Sequence, residues 1–202
     1  TGAKDPYALR RAVNGIIKIV LEQKIAFDIH ADLKALAQNY KAFDFDVLET
    51  FFLERLYQFF DVNPSIVKAV MSSGERDIVK MALKIKALAS ITQTEDFKQS
   101  VSTFKRVANI IKNVDINLDL HVNEALFENA HEKALFQAFK TVTGVEYETY
   151  EENLDALFGL KSDIDAFFDN VMVNAEDINI KTNRQNLIAQ IYMAFRSIAD
   201  IK

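Results

Sequence analysis

Apolar residues recur at three- and four-residue spacing along almost the whole chain, the period of an α-helix with one buried face. No stretch alternates as a half-buried strand would, and no repeat of fixed period is visible. The spacing predicts helices over about 5–24, 28–39, 44–60, 63–72, 75–90, 94–112, 121–142, 146–158, 162–173 and 182–199. Both prolines read as helix starts: Asp5-Pro6 and Asn63-Pro64 each pair an N-cap residue with a proline at the first helical position. Ser73-Gly74 reads as a turn, and Gly144 and Gly159 as helix ends. The run from Thr92 to Glu95 has capping-box spacing, and Ser162 to Asp165 has capping spacing of the same kind. Residues 113–119 read as a loop. The expected fold is all-α, an antiparallel multi-helix bundle in two packed halves that meet between Ala89 and Thr94.

Two stripes stand out. Ile164, Phe167, Phe168, Val171 and Met172 fall on one helical face, and Leu187, Ile188, Ile191, Tyr192, Phe195, Ile198 and Ala199 answer on the last helix. They predict a helical hairpin whose core carries no chemistry. Its joint is polar: Asn174, Glu176, Asp177, Asn179, Lys181, Asn183 and Arg184 crowd one corner. Caps and ion pairs account for such a corner, and so does contact with a ligand or another domain.

The helix at 94–112 divides more sharply. Phe97, Val101, Phe104, Ala108 and Ile111 form its buried seam. One position further on, Lys98, Ser102, Lys105, Asn109 and Lys112 keep the same spacing about 100° round the helix, with Arg106 beside them. A solvated helix face explains such a row. It also suits a phosphate backbone, with lysines as point charges and Asn109 for a base edge or sugar.

Composition narrows the alternatives. Half of the 202 residues are hydrophobic, so a sizeable core is within reach. Five glycines, two prolines and no cysteine leave no disulfide framework and few irregular turns. No apolar run approaches a bilayer span and no signal peptide is visible, so a cytoplasmic location with no membrane partner is expected. The net charge of −5 argues against indiscriminate nucleic-acid binding, and no DNA partner is expected. The charge is unevenly spread, though: 76–112 is basic and 146–177 acidic.

Catalytic patterns are missing. Glu128 and His131 have the Glu-x-x-His spacing of di-iron bundles, but the second motif those sites need is not there. His30-Ala31-Asp32 is not an adjacent His-Asp pair, and the run from His131 lacks the second histidine of a zinc protease. Lys80 to Lys84 reads as helix surface and core. With no nucleophile motif, metal set or phosphate loop, neither a catalytic nor a metal residue is assigned.

Three segments in order resemble a known family. "KDPYALRR" from Lys4 to Arg11, with Asn14-Gly15-Ile16-Ile17 behind it, is similar to the KDPFALRR segment of the bacterial glycyl-tRNA synthetase beta subunit. "FKRVANII" from Phe104 is similar to its KRxxNI helix, and "AFFDNVMVNAEDINIKTNRQNL" from Ala166 to its FFDxVMV…LRxNRL ending. Lys181 stands where that ending has arginine, and Gln185-Asn186 intervene before Leu187, so a bidentate contact at Lys181 is not expected.

The resemblance implies the C-terminal region of a beta subunit. It implies a helical body over 1–92 and, over 93–202, a helical anticodon-binding domain of the DALR type shared with arginyl- and cysteinyl-tRNA synthetases. The implied partners are glycine tRNA, the alpha subunit and the rest of the beta subunit. ATP and Mg²⁺ would be used by the alpha subunit, with no cofactor in this segment. The candidate tRNA contacts are Lys98, Lys105, Arg106, Asn109, Lys112, Lys181, Asn183 and Arg184. The competing expectation is a scaffold segment that packs against protein through the aromatics Phe51, Phe52, Tyr57, Phe59 and Phe60.

Overall fold

The computed structural model describes residues 7–40, 43–115 and 119–200, all of them helix, turn or connection apart from one isolated bridge. The chain divides into two compact units, Thr1–Ala89 and Ser90–Lys202. No helix among the described residues is long and apolar enough to cross a membrane.

The first unit holds α1 (Leu9–Gln23), α2 (Ile29–Ala37), α3 (Phe45–Leu56) and α4 (Pro64–Ser72), with most of α5 (Ile78–Ile91). A single 3₁₀ turn, Tyr57–Phe59, extends α3. The caps explain most boundaries. Asp28, Asp44 and Asn63 each accept a backbone N–H of the first turn behind them, and Pro64 takes the first helical position. The Asp5-Pro6 start lies outside the described residues. Ala8 has φ 55°, a left-handed conformation that no helix continues through, and α1 begins after it. Ser73-Gly74 turns as expected, with Gly74 at φ 94°.

Val13, Ile17 and Val20 of α1, Phe52 and Leu56 of α3, Val67 and Val70 of α4 and Met81 and Ile85 of α5 are buried. Within 80–84, Met81 is core and Leu83 is exposed; Ile78, Met81, Ile85 and Leu88 form the buried seam of α5. Charges tie the helices together beside this core. Arg76 donates to Glu49 of α3 at 2.6 Å and to the Met71 carbonyl at the end of α4. His30 of α2 lies 2.8 Å from the other Glu49 oxygen, and the buried Lys84 reaches Glu75 at 2.8 Å. Backbone bonds from Ile29 to Arg76 and from Ile78 to Phe27 fasten the starts of α2 and α5 to each other.

The second unit holds α6 (Glu95–Ile110), α7 (Ala130–Thr143), α8 (Tyr150–Gly159), α9 (Lys161–Asn170) and α10 (Ile178–Arg196). The last helix is central: Leu187, Ile188, Ala189, Ile191, Tyr192 and Phe195 are all buried, and α10 packs on α6, α7 and α8. Phe104, Phe158 and Phe195 meet with ring centroids 4.3 to 5.2 Å apart, locking α6, α8 and α10.

Several expected boundaries move here, each for a local reason. The helix expected from His121 begins only at Ala130, because Asn129 caps it; residues 119–123 are irregular, with Asn123 extended, and a short 3₁₀ turn follows at Glu124–Leu126. Thr149 and Glu152 form a complete capping box, so α8 starts at Tyr150 and not near 146. Ser162 caps nothing: α9 follows α8 directly through Leu160, with no side-chain cap. Thr94, not Thr92, caps α6. The α9 stripe stops at Asn170, so Val171 is buried but Met172 is 74 % exposed. Asp177 caps α10, which therefore starts at Ile178 and not near 182. Gly144 does end α7, by steric need: a Cβ there would lie 2.9 Å from the Lys140 carbonyl oxygen.

The Glu49 and Glu75 carboxyls set an acid limit on the first unit. Burial alone would push both up. The bonds from His30 and Arg76 to Glu49, and from Lys84 and the Asp77 and Arg76 amides to Glu75, outweigh it and hold both below the ordinary range. A folded-state value below the unfolded one gives stability that is complete above the unfolded value, about 4.3. It is lost as pH falls through the lower folded value. Urea midpoints taken from pH 7 down to pH 3 are expected to hold above about pH 5 and drop below about pH 4. Glu75→Gln should lower the neutral-pH midpoint and flatten the acid drop.

Candidate nucleic-acid interface

The helix α6 owes its two faces to sequence. Of the expected seam, Phe104, Ala108 and Ile111 are buried, Phe97 is half-buried and the Val101 side chain lies outside the described residues; Ser100, Thr103 and Val107 are buried as well, and Ile111 sits in a short 3₁₀ turn. Lys98, Ser102, Lys105, Asn109 and Lys112 are all exposed along the opposite side. From Lys98 to Lys112 the row runs about 20 Å at helical rise. Lys98 pairs with Glu95 at 3.1 Å, an exposed contact that costs little to break. Among the described residues Lys105 and Lys112 make no side-chain hydrogen bond or ion pair.

Arg106 differs from the lysines beside it. Its guanidinium lies over the Phe168 ring at 4.4 Å, donates to the Phe168 carbonyl at 3.1 Å and faces Asp169 at 3.6 Å. It therefore fastens α6 to the end of α9. Thr103 strengthens that seam by donating to Asp165 at 2.6 Å, as Lys161 also does. Burial would raise the Asp165 carboxyl; these bonds and the Lys161 and Arg106 charges hold it below the ordinary range.

The polar joint is internal. Arg184 is 6 % exposed and Glu132, on α7, is 0 % exposed. Arg184 Nε and Nη2 both donate to Glu132 Oε1, at 3.1 and 2.6 Å. Nη2 also reaches Glu128 at 3.0 Å, and Nη1 reaches the Met172 carbonyl at 3.1 Å. Asn183, also buried, accepts from the Asn123 amide at 2.7 Å and donates to the Asn123 carbonyl at 3.1 Å. Asn186 and Gln190 bond the His121 and Leu120 carbonyls at 2.8 and 2.7 Å. Three amide side chains on one face of α10 thus hold the irregular segment before α7. Lys181 is half-buried and, among the described residues, makes no side-chain hydrogen bond or ion pair.

The eight candidates therefore separate. Lys98, Lys105, Asn109 and Lys112 share an open face; Arg106 is exposed beside them but bonded to the end of α9; Asn183 and Arg184 are buried and committed within the unit; Lys181 is half-buried. Glu132 was the residue the spacing should have exposed, because it occupies the first place of the α7 stripe continued by Leu135, Phe136 and Phe139. Glu128, half of the Glu-x-x-His pair, is bound to Arg184. No three His, Asp or Glu side chains among the described residues converge as a metal ligand set would.

The family profile described as "Glycyl-tRNA synthetase beta subunit" matches residues 1–72. The whole chain is 39 % identical over 209 residues to the glycine–tRNA ligase beta subunit of Helicobacter pylori, of which it covers 30 %. It is 37 % identical to the beta subunit of Trichlorobacter lovleyi and 33 % identical to that of Solidesulfovibrio magneticus, covering 99 % of this chain and 31 % and 32 % of those relatives. The chain thus spans about a third of the length of the relatives it matches. The resemblance carried by the three sequence segments extends along the whole chain and matches the C-terminal region of that subunit.

Removing one member of a buried ion pair leaves the other uncompensated. Arg184→Ala, which strips the buried Glu132 of the guanidinium, is expected to destabilise the second unit by about 3–5 kcal/mol, measured by urea unfolding, and Glu132→Ala by less, because Arg184 keeps Glu128 and the Met172 carbonyl. Arg184→Lys should recover only part of the loss, because an ammonium lacks the fork that spans Glu132, Glu128 and the Met172 carbonyl.

Proposed function

We propose that this chain acts within a glycyl-tRNA synthetase as the tRNA-holding end of its beta subunit, with the second unit binding the anticodon arm of glycine tRNA. The observation that carries the reading is the exposed row on α6, whose Lys105 and Lys112 are uncommitted among the described residues. A buried seam fixes the helix, so the lysines are presented at fixed intervals along it. Such a row engages phosphates without reading sequence; Asn109 and Ser102 between the lysines supply hydrogen bonds to sugars or unstacked bases. The role is positional. Holding the anticodon arm keeps the acceptor end at an active site elsewhere, where an alpha subunit would use ATP and Mg²⁺ to activate glycine. Asn183 and Arg184 support this surface from within, Arg106 ties it to α9 at its edge, and none of the three is assigned to the RNA.

A second reading, packing against protein within the synthetase, is favoured by a different observation. Exposed large apolar side chains concentrate in the first unit, among them Leu9, Ile16, Ile19, Leu36, Val47 and Leu83. Of the aromatics expected to form that surface, Phe52 is core, and Phe51, Tyr57, Phe59 and Phe60 are half-buried.

Fluorescence anisotropy of a labelled glycine-tRNA anticodon stem-loop separates the two readings. With about three phosphates engaged, affinity should fall about tenfold between about 50 and about 150 mM salt. Lys105→Ala should weaken binding and lower the salt slope by about one counterion, without unfolding the chain. An anticodon-altered stem-loop should bind less tightly. Equal binding of all stem-loops, or none, would sink the anticodon reading.

A further inference from the structure

The helix α1 is more apolar than its own unit uses. Val13, Ile17 and Val20 point into the core, and a second stripe lies beside them on the solvent side. Leu9, Ala12, Ile16 and Ile19 follow one another at i, i+3, i+7 and i+10, and all are exposed; Leu9 and Ile19 are 57 % and 56 % exposed. A helix covered on one side only needs one such stripe.

Gly15 supplies an independent observation. It sits in the interior of α1, where glycine is less favourable than alanine. Its φ is not positive, and a Cβ added there would meet no atom of the described residues within 4 Å. Nothing in the unit itself therefore calls for a glycine. Gly15 borders the exposed stripe and, with Ala12 one turn before it, makes a shallow notch flanked by the ridge of Ile16 and Ile19. A notch beside a ridge is what close packing of a second helix requires.

We propose that the Leu9–Ala12–Ile16–Ile19 face of α1 is an interior packing surface, covered by a helix from the part of the longer beta-subunit polypeptide that precedes this region. The chain covers 30 % of its Helicobacter relative, so more than twice its own length of polypeptide accompanies this region there. The surplus of exposed apolar residues lies in the unit that contains α1, while in the second unit only Val145, Met172 and Ile178 are large apolar residues counted as exposed among the described residues. The inference rests on kinship with the beta subunit and not on the lysine row, so either can fail without the other.

The test compares this chain with a chimera in which it replaces the matched span of the full-length Helicobacter pylori subunit. The chain has no cysteine, so a single Ile19→Cys in it reports burial through maleimide labelling. The relative's own cysteines would first be replaced. Labelling should be fast in the 202-residue chain and at least ten times slower in the chimera; equal rates would overturn the proposal. Protection that grows with concentration in the shorter chain would overturn it in favour of a second copy as occupant. Ile17→Cys must stay unreactive in both, which guards against a misfolded chimera. Gly15→Ala should raise the melting temperature of the shorter chain, where the new methyl meets open space, and lower that of the chimera, where it meets the covering helix. A rise in both would refute the close approach.

Discussion

The Arg184–Glu132 pair is the constraint on which the second unit depends. A guanidinium and a carboxylate taken out of water are tolerable only when they meet in close geometry and further hydrogen bonds satisfy the charge. Arg184 finds them on α7 and on the Met172 carbonyl between α9 and α10. One side chain thereby fixes the angle at which the last helix enters the bundle. Once α10 is placed, its apolar side gathers α6, α7 and α8 round Phe104, Phe158 and Phe195, and the presentation of α6 follows. Glu132 Oε2 is buried with no hydrogen-bond partner among the described residues, so the pair is bought at some cost in desolvation.

The lysine row depends on this framework without contributing to it. Arg106, one position from Lys105, belongs to the α6–α9 seam, whereas Lys105 faces outward. Two adjacent cations on one helix thus carry opposite duties. That division makes the surface separable by mutation: lysines can be removed with little structural loss, whereas removing Arg106 strips the Phe168 ring of its cover.

Much of the fold was legible because helical period and capping residues are local signals. Asn63-Pro64, Ser73-Gly74 and the α6 division into seam and row needed no tertiary knowledge. What escaped is non-local. The irregular segment at 119–123 has a helix-like pattern, but the amides of Asn183, Asn186 and Gln190, some 60 to 70 residues away, take up its backbone groups. The role of Arg184 was half visible. Its place in a polar joint suggested pinning, but its partner lay 52 positions distant, and Glu132 among apolar neighbours was the overlooked cue. The α9 start failed for the opposite reason: a capping pattern was present, but the direct passage from α8 left it no free helix end to cap.

The amide ladder on α10 has a consequence for what the sequence is free to change. Leu120, His121 and Asn123 are held chiefly through their peptide groups, by side chains that stand in for the edge of a sheet. Apart from Val122, which is buried, and Asn123, whose side-chain oxygen accepts from the Ala125 amide and caps the short 3₁₀ turn behind it, this stretch is therefore nearly indifferent to its own side chains and strict about its length. Substitutions can accumulate there unnoticed, but adding or deleting one residue would slip every rung past its amide and carry the start of α7, with Glu132 on it, out of register with Arg184.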